Sequence, residues 1–206
     1  MTEVQTCALP ILPKEDEVRV AHDALNETVS SIFEKMGVSS DDAALGAEVL
    51  VATDLRGVET HGVSNMLRSY VEGYTQGTLN PRPDMRVVRE TPSTANVDAD
   101  KGLAVILGPK AMQMAIDKAR NVGVGVVTMS NAGHSGAIGH HAMLAAKQDM
   151  VGMTATSGGL LVVPTYGAEP RLGTNPIAIA APAKSEPALL FDAATSAVAG
   201  NKLRLA

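Results

Sequence analysis

The residues best suited to chemistry are histidines set among glycines. His134 lies in Asn131-Ala132-Gly133-His134-Ser135-Gly136, directly after the uncharged run Val122–Met129. That run reads as a strand buried on both faces, which places His134 at a strand's carboxyl end, where open α/β sheets collect ligands. An imidazole with a pKa near ~6.5 can exchange a proton at neutral pH. The neighbouring glycines permit unusual backbone angles and close approach of a ligand. His61 lies in a second turn, Asp54-Leu55-Arg56-Gly57-Val58-Glu59-Thr60-His61-Gly62, between two expected helices. It can present Thr60 and His61 to a ligand, with the amides of the following helix facing an anion. An ordinary loop histidine at 134, and at 60–61 a helix cap beside a surface histidine, are the plainer readings.

Other polar clusters are weaker. His140 and His141 fall on the next expected helix, about 100° apart, so they do not readily share a metal. No metalloenzyme spacing occurs, and no metal is expected. One of the pair is expected near the pocket and the other at the surface. Gly173-Thr174-Asn175-Pro176 and the stretch Asp192 to Ser196 suit the sugar or phosphate of a dinucleotide, and equally suit plain turns and caps. Gly123-Val124-Gly125 comes nearest to a dinucleotide fingerprint, yet Thr128 stands where the third glycine belongs. A standard dinucleotide-binding fold is therefore not expected.

These residues need a scaffold. Residues 1–17 read as a tail, the first dozen resembling translated adapter read-through as much as native sequence. Residues 18–80 read as a helical segment. Ala21, Leu25, Val29, Ile32, Phe33 and Met36 form one helical face closed by Gly37. Ser39 to Asp42 open a second helix, and Met66, Leu67, Tyr70 and Tyr74 mark a third that stops at Gly77. From about residue 81 to 206, short β-branched runs alternate with helices: Met85–Arg89, Ala95–Val97, a helix from Pro109 to Asn121, Val122–Met129, a helix over Ala137–Gln148, then Val151–Ser157, Ile177–Ala181 and Leu189–Asp192. Pro109 suits a first helical position. The expected class is α/β, a helical segment followed by a layered domain. The last strand is followed by little chain to cover it, so an incomplete α/β domain, a fragment, is expected.

Composition narrows the function. The 206 residues are 45% hydrophobic but only 2% aromatic, with no Trp and a formal charge of −5. Without a basic run or stacking platforms, a nucleic-acid partner is not expected. The single cysteine, Cys7, excludes an internal disulfide framework and fits a cytoplasmic location. No run reaches the ~18 apolar residues of a membrane span, and no membrane partner is expected.

Taken in order, Asp54-Leu55-Arg56-Gly57, Thr60-His61-Gly62, Leu79-Asn80-Pro81, Asn131 with His134-Ser135-Gly136, Gly173-Thr174-Asn175-Pro176 and Phe191-Asp192-Ala193-Ala194-Thr195-Ser196 resemble the type 2 malate/L-lactate dehydrogenase family, over about Val18 to Ser196. The resemblance implies a non-Rossmann, three-layer α/β domain with a mixed sheet, NAD or NADP as cofactor, a small 2-hydroxy or 2-oxo acid as substrate, and a homodimer at full length. By it, His134 exchanges the proton with the substrate hydroxyl, and Thr60 and His61 hold the substrate. Ser157 or Gly158, Thr174, Asn175, Asp192, Ala193 and Ala194 lie at the cofactor. The family's usual arginine four residues after His61 is here Asn65, and Arg68, close to one helical turn further on, is the expected substitute. A cyclic-imine-acid reductase of the same fold, a His134/Asp192 hydrolase and an inactive binding fragment are the alternatives. The hydrolase lacks a Gly-x-Ser-x-Gly elbow. The chain alone is expected to turn over poorly.

Overall fold

The computed structural model describes residues 19–197 and 200–201; the expected tail at 1–17 lies outside them. Three helices come first: α1 (His22–Lys35), α2 (Ser40–Leu55) and α3 (Val63–Thr75), with a short 3-10 turn at Glu59–His61. Their positions follow the sequence signals closely. Gly37, at φ 91°, follows the end of α1, and the Ser39 side chain caps α2 by accepting from the Asp42 amide at 3.4 Å. Helix α3 is not capped by Thr60. Asp54 reaches across from α2 and accepts from the Val63 amide at 2.8 Å.

Two three-stranded sheets follow. In the first, β1 (Arg86–Glu90) pairs antiparallel with β2 (Thr94–Asp98), and β2 pairs parallel with β3 (Val126–Ser130) across the intervening α4 (Ala104–Val122). In the second, β4 (Gly152–Ala155), β5 (Ile177–Ala181) and β6 (Leu189–Ala193) are antiparallel throughout. Helix α5 (Gly139–Ala146) joins the two. The class is α/β with a mixed sheet, as the sequence implied.

The main differences from expectation lie in α4 and β3, each for a packing reason, while α5 and β4 are shorter at both ends than expected. Helix α4 starts at Ala104, leaving Pro109 inside it. The loss of one helical hydrogen bond at proline is offset because the added turn buries Val105, Ile106 and Leu107. The expected strand Val122–Met129 is split: Val122 ends α4, Gly123 at φ 87° closes it, and β3 begins at Val126. Nor is β3 buried on both faces, because it is an edge strand and alternates between exposed and half-buried residues.

The main core joins α1 to α4 through Phe33, Leu50, Tyr70, Leu103, Val105 and Leu107, so it runs across residue 80. A smaller core packs Ile138, Ala142 and Ala146 of the α5 region on Ala178 and Ala180 of β5. Among the described residues, nothing covers the opposite face of the second sheet. There Met153, Ile179 and Phe191 lie in one register row and are exposed.

Candidate active site

The site forms where the 3-10 turn, α3 and the β3–α5 loop meet. The loop is stitched down by its backbone: Gly133 donates to the Gly102 carbonyl at 2.8 Å, and the Val105 amide donates to the His134 carbonyl at 3.1 Å. The second bond also satisfies one of the free amides at the start of α4. A side chain at Gly133 would strike Leu79, 2.5 Å away. The histidine is thus carried on a loop held against the main core.

The rings of His61 and His134 stack with centroids 5.6 Å apart and planes 16° from parallel. Thr60 Oγ1 lies 2.8 Å from His61 Nδ1. On the other side, Tyr70 Oη lies 2.7 Å from His134 Nδ1, and the Gly136 amide donates to the same nitrogen at 3.2 Å. A backbone N–H can only donate, so Nδ1 is the accepting nitrogen. His134 Nε2 has no hydrogen-bond partner among the described residues, and His134 is exposed.

Loss of hydration in this cluster, then the neighbouring His61, lowers the His134 pKa from 6.5 to about 4. Burial also lowers His61, against the opposing charge of Asp192. Both imidazoles are therefore neutral at pH 7. Burial raises the pKa of Tyr70, which stays a neutral phenol.

Asp192, on β6, accepts from the Gly139 amide at 2.7 Å, placing a carboxylate on the first residue of α5. It interacts electrostatically with His61 and with Arg56, the residue that ends α2. Partial burial lowers the Arg56 guanidinium below its ordinary value, and the Asp192 charge works against this.

A second group converges at one end of the second sheet, where Ala155, Ile177 and Ala193 lie in register. Ser157 and Gly158 follow β4, Thr174 and Asn175 precede β5, and Ala194 follows β6. The Gly158 amide donates to Asn175 Oδ1 at 2.9 Å, and the Thr195 amide donates to the Thr174 carbonyl at 2.8 Å. Three segments far apart in sequence thus form one end of a sheet.

The family model for malate/L-lactate dehydrogenase matches residues 20–206. The chain belongs to this family. It is 45% identical over 191 residues to a malate dehydrogenase of Pyrococcus horikoshii, covering 93% of this chain and 52% of that protein. The solved structure of malate dehydrogenase from the same organism superposes with a TM-score of 0.88 at 44% identity, over 91% of this chain and 53% of that one. An L-sulfolactate dehydrogenase of Methanocaldococcus jannaschii is 42% identical over 175 residues, covering 85% of this chain and 50% of the relative. The delta1-piperideine-2-carboxylate reductase structure from Pseudomonas syringae matches with a TM-score of 0.84 at 28% identity, over 92% of this chain and 57% of that one. The chain spans about half the length of the curated relatives it matches.

Within the malate/L-lactate dehydrogenase family frame, Thr60, His61 and His134 are brought together, and Asp192 interacts electrostatically with His61. Arg68 is not brought to this cluster. It is exposed and two residues before the buried Tyr70, about 200° around α3. Asn65 turns to the backbone, donating to the Glu59 carbonyl at 2.8 Å. Of the histidine pair, His141 is the buried member, and it hydrogen-bonds the loop bearing His134. Tyr70 was legible only as part of a helical apolar face, because its hydroxyl partner lies 64 positions away. Arg56 stood in a recognisable motif with no signal for its direction.

Proposed function

We propose that the protein is a nicotinamide-dependent oxidoreductase that interconverts a small 2-hydroxy acid and its 2-oxo acid, with His134 as the proton-transfer residue. The observation that carries this reading is the His61–His134–Tyr70 array. Two neutral imidazoles stack, and Tyr70 and Gly136 occupy Nδ1 of His134, leaving Nε2 to face a substrate oxygen. Thr60 and His61 hold the substrate beside it.

The end of the second sheet suits the cofactor. Ser157 and Gly158 are exposed beside Thr174 and Asn175, offering hydroxyl, amide and backbone groups to a sugar or phosphate. Asp192, Ala193 and Ala194 complete that end, with NAD or NADP as the group bound. The nicotinamide, when bound, supplies the hydride acceptor or donor. The protein's own part is to orient C2 of the substrate and to move the hydroxyl proton at His134. Either Arg56 or Arg68 meets the substrate carboxylate, and the position of Arg56 near Asp192 favours it. The full-length protein assembles as a homodimer in the same reading.

The test is a panel of 2-oxo acids offered with NADH and with NADPH to the full-length gene product, followed at the nicotinamide absorbance band. Turnover that collapses by about 100-fold or more in His134→Asn supports the reading, the usual scale for a lost acid–base group. Unchanged turnover in that variant removes His134 from its role. Reduction of a cyclic imine acid belongs in the panel as a second reading, favoured by the match to the piperideine-carboxylate reductase and by Asn65 at the usual arginine position.

A further inference from the structure

Behind the candidate site, His141 is almost fully enclosed, 2% exposed, on α5. Its Nε2 lies 3.0 Å from the Ser135 carbonyl oxygen. A carbonyl can only accept, so Nε2 carries the ring proton. Its Nδ1 is buried with no partner among the described residues, the bare nitrogen of that same tautomer. Burial, opposed by the Ser135 carbonyl and assisted by His140, lowers its pKa to about 4 and keeps the ring neutral. The ring lies against Gly108 of α4, where an added Cβ would come within 2.6 Å of Nε2. Helix α4 leaves space for this imidazole at the position that directs it to Ser135.

The carbonyl held by His141 belongs to the same peptide unit as the Gly136 amide, which donates to His134 Nδ1 at 3.2 Å. A trans peptide is planar, so fixing its C=O direction fixes its N–H direction. Gly136 sits at φ 66°, a left-handed turn that glycine adopts without a side-chain penalty. The chain of contacts is therefore His141 Nε2–H to Ser135 C=O, and Gly136 N–H to His134 Nδ1. A donor bound at the carbonyl end also polarises the amide and strengthens the hydrogen bond that its N–H donates.

We propose that His141 is a positioning residue that sets the tautomer of His134 by clamping the Ser135–Gly136 peptide. With that peptide fixed, His134 Nδ1 must accept, and its proton resides on Nε2. His134 Nε2 then presents an N–H to a substrate oxo oxygen, and giving up that proton requires one to enter at Nδ1, where Tyr70 Oη lies 2.7 Å away. The functional consequence rests on His134 being the proton-transfer residue, but the tautomer itself does not.

The experiment is ¹⁵N NMR of the histidine-labelled 206-residue protein near neutral pH, without ligands. The expected spectrum has both His134 and His141 protonated at Nε2 and bare at Nδ1. Two variants are expected to move His134 toward the Nδ1–H form by about fivefold in tautomer ratio, the scale of one neutral hydrogen bond. They are His141→Leu, which removes the clamp, and Gly108→Ala, which displaces it while retaining the histidine. His141→Gln, with an amide N–H to offer Ser135, is expected to restore the wild-type ratio. A wild-type His134 protonated at Nδ1 overturns the proposal. So does a His134 spectrum unchanged in Gly108→Ala or His141→Leu. If His141→Leu does not fold, the wild-type and Gly108→Ala spectra decide. No turnover is needed, so this result and a failed dehydrogenase assay are separable.

Discussion

Tyr70 and His134, 64 positions apart, meet through a hydrogen bond of 2.7 Å between the Tyr70 hydroxyl and His134 Nδ1. The hydroxyl donates, because the Gly136 amide already makes Nδ1 an acceptor. Tyr70→Phe removes this donor and keeps the ring that packs in the main core. The expected result is a 10- to 100-fold fall in kcat with little change in KM (roughly the range of a lost positioning contact). Stability should fall by about 1 kcal/mol. Steady-state kinetics and thermal unfolding of the same variant check both values.

Acid should destabilise the protein through two histidines whose pKa values folding lowers. Both His134 and His141 titrate at about 4 when folded, below the ordinary 6.5. Between those values the unfolded chain binds more protons than the folded one. Stability is thus complete above about pH 6.5 and falls as pH drops toward 4. His141 is the cleaner probe, being almost fully enclosed. In His141→Leu, the slope of unfolding free energy against pH in this window should decrease by about 1.4 kcal/mol per pH unit, one proton's worth. Denaturant melts at several pH values measure it, and an unchanged slope contradicts the assignment.

The turn bearing Thr60 and His61 depends on Asp54. Its carboxylate caps α3 at Val63, and Gly62 is the only residue type that leaves room for it, since a Cβ there would collide with the carboxyl group. Burial raises the Asp54 pKa against the effect of the Val63 amide. Asp54→Ala should cost about 1 kcal/mol of stability, the usual scale of a lost cap. Gly62→Ala should cost more, and should weaken substrate binding by displacing His61. Thermal melts of the two variants together with substrate KM values test this order.

In the proposed function, Arg56 and Arg68 are the two candidates to meet the substrate carboxylate. Arg56→Ala should raise KM for an acid substrate about 10-fold, because the cation ends α2 beside Asp192. Arg68→Ala should change KM less than twofold, since the exposed side of α3 carries it away from His134. A reversed order would assign the clamp to Arg68.

The sequence by itself determined the local pieces. The apolar spacing of α1 to α3, the cap at Ser39 and the glycine after α1 are short-range signals, and each element appeared where they placed it. Motifs of glycine and histidine marked the two turns that carry His61 and His134, because such turns need particular residue types wherever they are built. The tertiary structure decided what those pieces meet. Pro109 lies inside α4 because buried Val105, Ile106 and Leu107 outweigh the local preference of proline. The uncharged run Val122–Met129 became a helix end, a turn and a half-exposed edge strand, since apolar composition does not specify which neighbours will cover it. Tyr70 at His134, Asp192 at the start of α5 and His141 beneath Ser135 are contacts between elements. No periodicity encodes them, so the proton placement at His134 was not legible in the chain. It is set by a peptide plane that only packing can fix.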